Sequence, residues 1–84
     1  MEIVWDERKR QRNIAKHGLD FADLSLDFLM TARVLPAMHD RLSAIGEFQG
    51  RLIIAVVFRP LGTEALAVIS MRPASRKERR QIDD

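Results

Sequence analysis

Residues 51–71 read RLIIAVVFRPLGTEALAVISM. From Leu52 to Phe58 the run is apolar without interruption and rich in β-branched residues, the composition of a strand covered on both faces. Such a strand belongs at the centre of a sheet. Residues 60–64, PLGTE, carry turn chemistry, and Ala65–Met71 is a second apolar run of strand length. The segment predicts a β-hairpin at the heart of a sheet, and the remaining elements arrange themselves around it.

Toward the N-terminus, Gln49-Gly50 is a turn signal, and residues 41–48 (RLSAIGEF) read as a third strand with Gly46 expected at a bulge. Residues 31–39 (TARVLPAMH) contain Pro36, which confines them to an edge or broken strand. Glu2–Trp5 (EIVW) predicts a short first strand. Asp6 then caps a helix that runs to His17 and stops at Gly18. Ile14 and Ala15 are nearly all of its apolar surface, so it must lie on the protein and not inside it. Asp20 caps a second helix, in which Phe21, Leu24 and Phe28, with Leu29 beside them, form a core stripe. Met30, Met38 and Met71 are expected to fill the core, and Trp5 to anchor the first helix. Beyond the hairpin, Ser75-Arg76-Lys77-Glu78 is a capping box opening a final helix to about Ile82. The order is β-α-α-β-β-β-β-α. It predicts one small α+β domain over residues 1–84: a mostly antiparallel four- to five-stranded sheet, two N-terminal helices and a short C-terminal helix.

Composition narrows the function. The chain has 84 residues, 46% of them apolar, enough for a core without staples. It has no cysteine, which excludes disulfides, thiolate nucleophiles and thiolate metal sites. The acids are scattered and no phosphate-loop, dinucleotide or zinc-protease motif occurs, so neither metal nor cofactor is expected. No signal-peptide core and no run of membrane-spanning length is present, which predicts a soluble cytoplasmic protein without a membrane partner. Net charge is only +2. Yet of the fourteen cations, five lie in residues 1–16 (Arg8, Lys9, Arg10, Arg12, Lys16) and five in residues 72–84. If the ends meet, they form one basic face suited to a nucleic acid or an acidic protein; apart, they are solvated helix surfaces.

Two constellations carry chemistry. On the first helix, an advance of about 100° per residue places Lys9, Asn13, Lys16 and His17 in one stripe. Histidine there is either an acid/base group on a cationic surface or a helix-terminal residue favoured by the dipole. At the other end, Arg72 and Arg76 flank a helix start, where two guanidinium forks and free backbone N–H groups can hold a phosphate; a solvated basic turn fits the pattern equally. His39-Asp40-Arg41 lies in an expected turn.

The residues WDERKRQRNIAKHGLDF, from Trp5 through Asp6, Lys9, Asn13, Lys16, His17 and Gly18 to Phe21, resemble the opening motif of the BrnT family. HDRLSAIG, RLIIAVVF and ISMRPASRKERR are similar to that family's later segments, so the resemblance spans about residues 5–80. It implies a RelE-like fold and a ribonuclease toxin of a type II toxin–antitoxin system, neutralised by a BrnA-like antitoxin in a complex of possible higher order. The expected activity is metal-independent endonucleolytic cleavage of RNA, which stops translation and growth. His17 is expected to transfer a proton as base or acid, and Arg72 and Arg76 to stabilise phosphate charge. Lys9, Asn13, Lys16, Arg41 and Lys77 are expected to contact RNA. The alternative is a non-catalytic basic module that docks nucleic acid or an acidic partner.

Overall fold

The computed structural model describes residues 1–82; the last two residues of the expected domain, 83 and 84, lie outside the described residues. The elements are β1 (Glu2–Trp5), α1 (Glu7–His17), a 3₁₀ turn (Phe21–Asp23), α2 (Leu26–Thr31), β2 (Arg33–Pro36), β3 (Leu42–Phe48), β4 (Leu52–Leu61), β5 (Ala65–Pro73) and α3 (Arg76–Arg79). The strands form one sheet in the order β1-β5-β4-β3-β2. β1 runs parallel to β5, and the other three pairings are antiparallel. β4 is central, as its uninterrupted apolar run predicts. β2 is an edge ending at Pro36, where the missing N–H costs no ladder bond.

One face of the sheet carries the main core. Ala44 and Phe48 of β3, Ile54, Val56 and Phe58 of β4, and Leu66, Val68 and Met71 of β5 meet Leu19, Phe21, Leu24 and Phe28. Trp5 packs on this cluster edge-on to Phe21, with ring centroids 6.4 Å apart, and so anchors the start of α1 as expected. The opposite face is partly covered as well, since Ile45 and Ala55 are buried there. Gln49 and Gly50 both have positive φ, the requirement of a type I′ turn between β3 and β4.

Four expectations are corrected. The second helix is two pieces. Asp20 caps only the 3₁₀ turn, the chain is extended at Leu24 and Ser25, and the Ser25 hydroxyl then starts α2 by accepting from Phe28 N–H at 3.3 Å. Phe21, Leu24 and Phe28 are nevertheless all buried. Gly46 is not at a bulge; it sits in regular register opposite Ile54. A Cβ there would stand 3.2 Å from Phe28 Cε1 and 3.3 Å from Ala32 Cβ, so glycine is needed for the close approach of α2. The register shift is in β5, where Ile69 is the extra residue between Val68 (opposite Phe58) and Ser70 (opposite Val57). Finally, only Met71 fills the core: Met30 and Met38 are exposed. The last helix is a single turn, after which i→i+3 bonds from Gln81 to Glu78 and from Ile82 to Arg79 tighten the chain. No helix of the described residues is long and apolar enough to cross a membrane.

The Gly46 contact gives a direct test. Gly46→Val should destabilise the fold by about 1–3 kcal/mol through overpacking against α2, measured by urea denaturation. A variant as stable as the parent would show that α2 moves freely on β3.

Candidate active site

α1 has defined ends but no buried apolar residue. The Asp6 carboxylate accepts from Arg8 N–H at 2.8 Å and Lys9 N–H at 3.2 Å, and Gly18, at φ 69°, closes the C-terminus by donating to Ile14 C=O at 2.8 Å. The helix's one buried residue is Asn13, and Ala15 is exposed. Beyond the Trp5 anchor, α1 is held along the sheet chiefly by polar contacts. β1 ends at Trp5 opposite Val68, so β5 from Ile69 onward has no strand on that side, and α1 lies along it instead. The Asn13 side-chain oxygen accepts from Met71 N–H at 3.1 Å, and its amide nitrogen donates to Leu19 C=O at 2.9 Å. Asn13 was expected to touch substrate; its amide is turned inward and bonded to the backbone at both ends.

The seam between α1 and β5 is an open groove of about 240 Å³ lined by Lys9, Arg12, Asn13, Lys16, His17, Ile69 and Ser70. The structure thus brings together the expected Lys9, Lys16 and His17. Among the described residues, Lys9, Arg12 and Lys16 take part in no ion pair; the pairs formed belong to Arg10 and Arg72. Arg10 is spent on the fold: its fork meets Asp20 at 2.7 and 3.0 Å and it reaches Glu7 at 2.7 Å. That pairing raises the Arg10 pKa and holds the Asp20 carboxyl below its ordinary value. Two lining residues were absent from the expected set. Arg12 was legible, since it is three residues after Lys9 and four before Lys16 on one helical face. Ser70 was not, because strand alternation alone turns it toward the core.

The other expected cations are elsewhere. Arg72 is half-buried and forked onto Glu78, with N–O distances of 2.6 and 2.8 Å. Glu78 also accepts from Ser75 N–H at 2.9 Å while the Ser75 hydroxyl accepts from Glu78 N–H at 3.1 Å, completing the expected capping box. Two donors of the Arg72 fork are thus taken by the cap carboxylate. Arg76 and Lys77 are exposed on α3 and do not line the groove. The two basic ends meet through α1 and β5, and α3 contributes no groove residue. Arg41 is half-buried at the β2–β3 turn, two strands from β5, and His39 beside it is exposed.

A chain of this shape and sequence has known counterparts. A sequence model of the family described as ribonuclease toxin, BrnT, of type II toxin–antitoxin systems matches residues 5–78. The crystal structure of the ribonuclease toxin BrnT from Brucella abortus superposes with a TM-score of 0.85 at 66% identity, covering 90% of this chain and 99% of that one. No curated protein sequence matches.

Two predictions follow from these contacts. Asn13→Ala leaves Met71 N–H and Leu19 C=O without partners in a buried seam, and should cost about 2–4 kcal/mol; urea denaturation measures it, and a loss near zero would mean that water replaces the amide. Glu78 provides a pH signature. The Arg72 fork, with the Ser75 backbone N–H behind it, lowers its pKa from 4.5 to about 2. Its contribution is therefore whole above pH 4.5 and falls away as pH drops from 4.5 toward 2, because the unfolded chain takes up the proton first. Melting curves across that window should fall less steeply for Glu78→Gln than for the parent.

Proposed function

The chain belongs to the BrnT family of ribonuclease toxins of type II toxin–antitoxin systems, and from that premise we propose that it cleaves RNA endonucleolytically, without metal, in the groove between α1 and β5. The observation that carries the reading is the meeting of His17 with three cations free of ion pairs, Lys9, Arg12 and Lys16, over one strand. In this reaction the ribose 2′-hydroxyl attacks the adjacent phosphorus and the 5′-oxygen leaves, giving a 2′,3′-cyclic phosphate and a 5′-hydroxyl. It needs a proton acceptor, a proton donor, and positive charge for the crowded phosphate. His17 is the one imidazole in the groove and transfers a proton. Lys9, Arg12 and Lys16 draw in the RNA backbone and neutralise it. Arg72 supports the β5 end through Glu78. Cleavage in the cytoplasm would arrest translation and growth. A BrnA-like antitoxin, acidic where it touches the protein, would cover the groove, since opposite charge gives rapid capture.

Cellular RNA incubated with the protein in excess chelator should yield fragments ending in 2′,3′-cyclic phosphate. His17→Ala should slow cleavage about 10²–10⁴-fold while RNA affinity stays near that of the parent. RNA bound but left intact by the parent protein would identify a non-catalytic basic module instead.

A further inference from the structure

We propose that Ser70 is a substrate-binding residue of the α1–β5 groove, its hydroxyl donating a hydrogen bond to a non-bridging oxygen of the RNA phosphate held there; the proposal rests on the ribonuclease reading above. Side chains alternate along a strand, so a one-residue insertion exchanges the two faces from that point onward. Leu66 and Val68 of β5 face the core. Without an insertion, Ser70 would follow them inward and Met71 would point to the groove. Ile69 is the inserted residue. Beyond it the phase is reversed: Met71 is fully buried in the core, and Ser70 is half-buried in the groove wall beside His17 and Lys16. The bulge thus exchanges a thioether for a hydroxyl at this point of the groove.

The position is also held on both sides. Ser70 is in register with Val57 of β4, and the next residue, Met71, donates its N–H to Asn13 on α1. Lysine and arginine side chains attract a phosphate but swing on long stems. A short side chain on a bonded strand fixes where the phosphate stops. The groove therefore divides its labour: Lys9, Arg12 and Lys16 provide attraction, and Ser70 provides a fixed donor.

The test compares Ser70→Ala and Ser70→Thr with the parent on a short RNA whose cleaved linkage carries a single phosphorothioate of defined configuration. A donor aimed at one non-bridging oxygen makes the parent prefer one diastereomer. Ser70→Ala should lose about 10- to 100-fold in kcat/KM, the range for one hydrogen bond to a charged group, and should lose the preference with its melting temperature unchanged. Ser70→Thr should keep most of both. A Ser70→Ala rate equal to the parent's, or a slowed rate with the preference intact, overturns the assignment. Should the parent cleave no RNA, the ribonuclease reading fails separately. Affinity for a 2′-O-methyl oligonucleotide then decides for Ser70: weaker binding by Ser70→Ala supports the contact, and equal binding refutes it.

Discussion

The carboxamide of Asn13 fixes one end of this molecule. α1 has too little apolar surface for burial to fix its rotation about the helix axis. Two hydrogen bonds fix it. With its oxygen on Met71 N–H and its nitrogen on Leu19 C=O, Asn13 sets both the turn of the helix and its height along β5. Lys9, Lys16 and His17 share its stripe, so the same two bonds place them at the rim of the groove. The amide also satisfies a strand edge that β1 leaves uncovered beyond Val68. A leucine at this position would bury more area and satisfy neither backbone group.

Charge in this chain divides into scaffold and surface. Arg10 is held by Asp20 and Glu7, and Arg72 by Glu78. Each ties neighbouring elements together: α1 to the turn at Asp20 ten residues on, and the end of β5 to α3 six residues on. Lys9, Arg12 and Lys16, on the same helix as Arg10, take part in no ion pair among the described residues. What separates the two groups is whether the fold brings a carboxylate within reach, which a cation count does not reveal.

Much of the architecture was legible because its signals are local. The uninterrupted run from Leu52 to Phe58 marks the central strand, Asp6 and Gly18 mark the limits of α1, and Ser75 with Glu78 marks the last turn. The grouping of Lys9, Lys16 and His17 was legible from helical spacing alone. What escaped depends on partners far along the chain. Asn13 reads as a surface polar residue until a strand edge 58 residues away claims it. Arg72 reads as a free cation until the capping carboxylate turns out to have a second use. The Ile69 bulge leaves no mark in composition, and Gly46, the residue that suggests one, serves the packing of α2. Phe21, Leu24 and Phe28 keep helical spacing across a break because a 3₁₀ turn and a helix in series return the chain to the same side.

The parallel pairing of β1 with β5 bears on how the protein is made. The helix that supplies the cations and the imidazole emerges from the ribosome well before the strand that completes the groove. Pairing elements so far apart in sequence is slow relative to local structure. A nascent chain stopped anywhere before β5 carries α1 without the floor it needs. The groove forms only once β5 has joined α1, so any shorter product lacking β5 lacks the groove.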